Sequence, residues 1–206
     1  MTHMENEKKY AIYIHGIGSG AKSGTKSAFL RFLPDYEWIC PEVNEDPEES
    51  LAKIDEYVRV FSPAVIAGTS LGGLYTLYAD APEAMKVAVN ATVTVEKVLR
   101  KIGYGEHPFF CEREDGRTKY IIDEAMVRAF TRYKDTHTII PGRISLGVFS
   151  TDDELVGQVE SRKNAKLLEE AGFKVVWSDK FGHRLNENVA KKIPGWIAEQ
   201  EANIAK

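Results

Sequence analysis

The apolar positions of the chain fall into short runs separated by segments with a different period. Residues 10–14, 65–67, 86–90, 144–149 and 173–177 are mainly apolar and of strand length. Runs of this kind read as strands buried on both faces. A further strand is expected at 35–40, ending before Pro41. Between these runs, Asp46 offers a capping side chain, Pro47 suits the first helical position, and Glu48 and Glu49 place negative charge in the first turn. Leu51, Ile54, Tyr57 or Val58, and Phe61 then recur at helical spacing until Pro63 stops the helix. Another helix is expected from about 158 to 171, closed by Gly172. C-terminal helices, interrupted at Pro194, follow the last strand. Strand and helix taking turns predict an α/β fold, a mostly parallel central sheet flanked by helices on both faces.

Residues 91–140 break this rhythm. Two helices are expected there, around 95–102 and 122–133, joined by a loop at 103–119 rich in glycine, charge and aromatics. An excursion of that length between two sheet strands is expected to lie over the strand ends as a short helical cap or lid. Its aromatics, among them Tyr104, Phe109 and Phe110, are placed to line a substrate pocket or to pack the cap onto the body. Lys97, Arg100 and Lys101 read as a solvated helix face rather than an anion site.

Composition narrows the classes of function. A chain of 206 residues, 43% of them hydrophobic, is long enough for one buried core and too short for two ordinary domains, so a single domain over 1–206 is expected. A formal net charge of -4 disfavours a nucleic-acid partner, because phosphate binding calls for a basic excess. Residues 1–9 lack the apolar stretch of a signal peptide, and no run approaches membrane-spanning length, so a cytoplasmic protein without membrane association is expected. Cys40 and Cys111 are then expected to stay thiols. Neither they nor His3, His107 and His137 have partners at ligand spacing, and no metal is expected.

The chemistry is concentrated after the strands. Gly68-Thr69-Ser70-Leu71-Gly72-Gly73 follows an apolar strand and precedes a plausible helix start at residues 74–78. This is the context of the nucleophile elbow of an α/β-hydrolase, in which Ser70 sits on a tight strained turn and only very small residues fit two positions before and after it. The order of partners in that fold is serine, acid, histidine. Downstream, residues 151–154 follow the strand at 144–149, and His183 follows the strand at 173–177. Catalytic groups of parallel sheets lie beyond the carboxyl ends of the strands, which would bring Ser70, an aspartate and His183 to one edge. Asp153, with one more residue of turn before it, is the expected acid, and Asp152 is the reserve. The loop His15-Gly16-Ile17-Gly18 after the first strand would supply an oxyanion hole from the backbone N–H of Ile17 together with that of Leu71. His15 itself reads as structural.

The same loop supports a competing reading. Gly16-Ile17-Gly18-Ser19-Gly20-Ala21 satisfies the dinucleotide pattern G-x-G-x-x-G/A directly after a strand, with Glu37 or Glu42 at a suitable distance beyond. A Rossmann-like dinucleotide-binding protein is thus an alternative, although it requires a helix opening at the third small residue. A hydrolase-like scaffold without activity is a third.

The succession Tyr13-Ile14-His15-Gly16, Gly68-Thr69-Ser70-Leu71-Gly72-Gly73, Val89-Asn90, Thr151-Asp152-Asp153-Glu154 and Gly182-His183 resembles the YqiA/YcfP-like family of small α/β-hydrolase esterases, over about residues 10–196. The elbow and histidine are shared by hydrolases at large; the compact size and the segment around Asn90 are the specific part. The resemblance implies a minimal serine hydrolase acting without a cofactor on a small-molecule carboxylic ester, or a thioester such as acyl-CoA, through an acyl-enzyme intermediate. A monomer or small homo-oligomer is expected, the choice between them being left open. Position by position, Ser70, Asp153 and His183 match the family's triad. Two positions depart from the pattern: Ala91 stands where proline commonly follows the asparagine, and Asp152 where glycine commonly precedes the aspartate. A second carboxylate could take over the role of the first or raise the apparent pKa of the pair.

Overall fold

Eight strands and eight helices are present in the computed structural model, which describes residues 9–204. The strands are β1 (Tyr10–Ile14), β2 (Glu37–Ile39), β3 (Val65–Thr69), β4 (Met85–Val89), β5 (Gly105–Pro108), β6 (Lys119–Ile122), β7 (Ile144–Ser150) and β8 (Lys174–Ser178). The helices are α1 (Gly24–Phe32), α2 (Pro47–Phe61), α3 (Leu71–Tyr78), α4 (Val95–Ile102), α5 (Glu124–Thr136), α6 (Gln158–Glu170), α7 (Glu187–Ala190) and α8 (Ile193–Ile204). Six strands form one sheet in the order β2-β1-β3-β4-β7-β8, and every neighbouring pair is parallel.

The continuous apolar runs are explained by helices on both faces. Alternate residues of a strand point to opposite sides. Ile12, Ile14, Ile66 and Ala88 therefore join one core with Ile54, Tyr75 and Phe130. Ala11, Tyr13, Ala67, Val87 and Val89 join the other with Phe29, Val189 and Ile197. Every residue of β3, β4 and β7 is buried. The start of α2 follows its sequence signals: the Asp46 carboxylate accepts from the amides of Glu48 and Glu49 at 2.9 and 3.0 Å, a cap worth about 1 kcal/mol.

Three local expectations need correction. The stretch 103–119 is not all loop, since β5 and β6 pair as an antiparallel hairpin with Gly105 opposite Ile122. The signal was a period of two within a charged segment: Tyr120 and Ile122 are buried while Lys119 and Ile121 face solvent. The second helix of the excursion begins at Glu124 rather than Ile122, because the Asp123 side chain accepts from the Met126 amide at 2.8 Å and caps it there. The excursion between β4 and β7 is thus a helix, a hairpin and a helix rather than a purely helical cap. Pro194 lies in the first turn of α8 and opens that helix instead of interrupting it, since a first-turn N–H has no intrahelical acceptor to lose.

One residue of the apolar run at 86–90 behaves unexpectedly. Lys86 is fully buried, and its ammonium donates to the carbonyls of Ala79 and Ile140, both at 2.7 Å. Burial pulls its pKa down to about 8. The side chain ties the end of α3 to the segment before β7 at the amino end of the sheet, opposite the edge where Ser70 sits. Among the described residues, no helix is long and apolar enough to cross a membrane.

Candidate active site

Ser70 occupies the junction of β3 and α3 with φ 57° and ψ -118°. A residue with a Cβ is strained there, and it persists only where its surroundings over-determine the turn. The Ser70 amide donates to the Val89 carbonyl at 2.9 Å, and the Ser70 carbonyl accepts from Thr92 and from Leu74. The turn is too tight for side chains at its flanks. A Cβ on Gly68 would lie 2.1 Å from the Gly72 carbonyl oxygen, and one on Gly72 only 1.9 Å from that of Ile14.

His183 and Asp153 meet in the loops that follow β8 and β7. The imidazole Nδ1 lies 2.9 and 3.1 Å from the two carboxylate oxygens of Asp153, with both residues buried. Burial alone would raise the Asp153 pKa. The hydrogen bond and charge of His183, with the amides of Val156 and Leu155 at 2.8 and 2.9 Å, outweigh it and hold the carboxyl below its ordinary value. Asp152 is exposed and accepts instead from the Ser150 hydroxyl at 2.6 Å. Glu154 serves the histidine differently, because its Oε2 accepts from the His183 backbone amide at 2.9 Å.

Ser70 and His183 line the same cavity, of about 660 Å³. Ile17 lines it too, and the first loop comes close enough that a Cβ on Gly16 would be 4.0 Å from the Ser70 hydroxyl oxygen. Leu71 is the first residue of α3, where an N–H has no intrahelical acceptor. Phe110 lines the cavity and is 63% exposed. Its amide donates to the Gly18 carbonyl at 2.7 Å, and the Arg184 guanidinium lies 4.7 Å from its ring centre. Phe109 does not share that wall. It packs against Tyr120 and the main core, beneath the guanidinium groups of Arg113 and Arg117 at 4.5 and 5.5 Å. Lys97 pairs with Glu160, and Lys101 donates to the carbonyls of Glu154 and Leu155, so this helix face grips the turn that carries Asp153.

Two buried groups fix the first loop. The His15 Nε2 accepts from the Val43 amide at 3.1 Å, and Nδ1 donates to the Gly16 carbonyl at 2.9 Å. This pairing requires a neutral ring, and burial pushes the His15 pKa down to about 4. The unfolded chain therefore binds this proton near pH 6.5 and the folded chain only near pH 4. Stability should be full above about pH 7 and fall as the pH drops through that window, by roughly 3 kcal/mol in total. Urea unfolding at about pH 7 and about pH 4.5 should show the loss, and a His15→Gln variant should lack most of it; equal slopes in the two proteins would contradict this role.

Arg113, which no local pattern singles out, is the second group. It is buried and donates to the carbonyls of Ser19 and Val43 at 3.0 and 3.1 Å. It pairs with Asp115 at 2.9 Å and Glu42 at 3.6 Å. Glu42 also accepts from the Glu114 amide at 3.0 Å. The hairpin segment is thus bolted to the loop after β1. This arrangement also answers the dinucleotide reading. α1 opens only at Gly24, behind a Ser23 cap, so no helix N-terminus stands at Ala21. The space above Gly18 is filled by Tyr120 and Phe110, whose rings would lie 2.9 and 3.0 Å from a Cβ there, and Glu42 is engaged by Arg113. Among the described residues, no group of three or more His, Cys, Asp or Glu side chains could hold a metal ion.

Solved structures share this architecture at low identity. Est1E from Butyrivibrio proteoclasticus superposes with a TM-score of 0.64 at 19% identity, covering 96% of this chain and 90% of its own. The mouse alpha/beta hydrolase domain-containing protein 10 gives 0.64 at 13% identity, with 95% and 90% covered. The esterase domain of a Rhodothermus marinus protein gives 0.56 at 19% identity, with 91% and 85% covered. The chain has the α/β-hydrolase fold. Curated protein sequences contain no match to it. The model of the uncharacterised protein family UPF0227, the YqiA/YcfP family, matches residues 10–198, and the chain belongs to that family.

Proposed function

We propose that this chain is a serine hydrolase of small-molecule carboxylic esters, with Ser70 as nucleophile, His183 as general base and acid, and Asp153 as the residue that orients the imidazole. The observation that carries the reading is the buried Asp153–His183 pair opening onto the same cavity as a serine held at φ 57°. With Nδ1–H donating to Asp153, Nε2 is left as the acceptor. It takes the Ser70 proton as the hydroxyl attacks the carbonyl, and returns it to the departing alcohol. Asp153 stabilises the imidazolium that forms between these steps.

The developing oxyanion is met by the N–H groups of Leu71 and Ile17. The first stands at the N-terminus of α3, where the helix dipole favours negative charge. The second is on a loop that His15 and Arg113 hold in place before substrate arrives. Donors fixed in this way need no reorganisation, and each is worth about a hundredfold or more in rate. Water then attacks the acyl-enzyme with His183 again as base. The same steps serve a thioester, whose thiolate leaves with less need of a proton. The esterases among the structural neighbours support an ester substrate.

Hydrolysis of p-nitrophenyl esters from acetate to palmitate, combined with fluorophosphonate labelling, tests the reading. Turnover of at least one ester and a single label on Ser70 are expected. A folded protein that shows neither is a binding scaffold rather than a hydrolase.

A further inference from the structure

Asn90 is buried, stands at the end of β4 with φ 44°, and belongs to none of the groups that carry out the chemistry above. Its amide spans three chain segments. Nδ2 donates to the carbonyls of Gly182 at 3.1 Å and His183 at 2.9 Å, and Oδ1 accepts from the Ser150 amide at 2.8 Å. Ser150 is the last residue of β7, from which the turn to Asp153 departs. Both amide hydrogens of the side chain are therefore spent on the histidine loop and its acceptor on the strand that delivers the acid.

That loop is seated by the buried side chains of Phe181 and Leu185, by Asn186 Nδ2 donating to the Lys180 carbonyl at 2.9 Å, and by the Asp152 carboxylate at the backbone of Phe181 and Gly182, but of these none holds His183 itself. It runs from β8 to α7 without regular structure, and Lys180 and Gly182 both have positive φ, 62° and 58°. His183 must nevertheless keep its ring on Asp153 at one nitrogen and aim the other at Ser70. Its backbone is gripped from both sides, the amide by Glu154 and the carbonyl by Asn90. A Cβ on Gly182 would lie 2.8 Å from the Glu154 carboxylate, so the loop is packed against this acceptor. We infer that Asn90 is a positioning residue: it sets the histidine loop and the acid strand in one register, and so fixes the distance and angle at which His183 meets the nucleophile.

Other side chains cannot replace it. Aspartate has no hydrogen to donate and would place a carboxylate against two carbonyl oxygens. Glycine takes up the left-handed conformation freely but brings no amide. This distinguishes positioning from turn formation, since asparagine is also common at positive φ for purely local reasons. If Asn90 served only its turn, glycine would be as good or better there.

The inference rests on the hydrolase reading, and the two are tested separately. Wild type, Asn90→Gly and Asn90→Asp are compared for kcat and KM on p-nitrophenyl butyrate, for the rate of fluorophosphonate labelling, and for thermal melting. Asn90→Asp keeps the acceptor for Ser150 while removing both donors, and each variant is assayed below its own melting temperature, so that a lowered melting point leaves kcat and labelling readable. Both variants are expected to lose kcat by on the order of tenfold to a hundredfold, in line with misplacing a catalytic group by about 1 Å, with KM within about twofold of wild type and labelling slowed in parallel. A folded variant with wild-type kcat and labelling rate would overturn the positioning role, as would a raised KM with unchanged kcat. A wild-type protein that neither turns over nor labels would overturn the hydrolase reading beneath it.

Discussion

Replacing Ser70 by alanine should lower ester turnover by on the order of a millionfold, the loss seen when the nucleophile of a comparable triad is removed. The fold should barely notice. The Ser70 backbone is held by Val89, Thr92 and Leu74, and those bonds do not involve its side chain. Ser70→Gly adds a second readout. It removes the hydroxyl and also the Cβ that makes φ 57° costly. That variant should be as inactive as Ser70→Ala yet more stable than wild type, by about 1 kcal/mol, because the relief of strain exceeds the added freedom of the unfolded chain. Paired melting curves and kinetic assays of the three proteins measure both quantities. Residual turnover within about tenfold of wild type in either variant would remove Ser70 from the mechanism. A glycine variant less stable than the alanine variant would show that the elbow stores no strain.

The second large effect separates two neighbouring carboxylates. Asp153→Asn should cost about four orders of magnitude in kcat, although the amide fills the same space. In the proposed mechanism Nδ1, 2.9 Å from the Asp153 carboxylate, carries the proton and Nε2 accepts. An asparagine whose NH2 faces the ring reverses this: Nδ1 becomes the acceptor, Nε2 carries the proton, and His183 can no longer take one from Ser70. Asp152→Asn alters an exposed carboxylate that accepts from the Ser150 hydroxyl and from the backbone of Phe181 and Gly182 but does not meet the imidazole, and should leave kcat within a few-fold. Steady-state assays of both variants on one ester decide the matter. Equal losses, or a larger loss at Asp152, would show that the acid has been misassigned.

Asp153 also has a pH signature of its own. Its carboxyl titrates below the ordinary aspartate range in the folded chain, so the stability it contributes is present above the unfolded value and lost only as pH falls through the lower folded one. This window lies below that of His15, so the two groups act in succession as the protein is acidified.

The elbow turn was readable from the chain because it sits where local rules are strict. A strand followed by Gly-x-Ser-x-Gly leaves few conformations for the turn, and the clashes that a Cβ would meet at Gly68 and Gly72 are the physical content of that motif. The alternation of apolar runs with helical periods marked five of the six sheet strands outright and β2 to within a few residues, since a strand covered on both faces has no polar side to obscure it. The acid remained open between Asp152 and Asp153, as a shift of one residue in a turn leaves no trace in composition.

The hairpin β5–β6 was hidden for the opposite reason: four-residue strands in a charged segment carry too few alternations to register, and their stability comes from Tyr120 and Ile122 reaching a core built by other parts of the chain. Arg113 and Glu42 could not be paired from spacing, because their contact depends on the hairpin lying against the loop after β1. Which of Phe109 and Phe110 reaches the cavity was likewise a matter of tertiary packing, since Phe109 lies against the core beneath Arg113 while Phe110 lines the cavity. Asn90 shows the limit most clearly. Its residue type and place after a strand are visible in the chain, but its role depends on two loops that follow β7 and β8, and hydrogen bonds between segments so far apart arise only once the sheet has set them side by side.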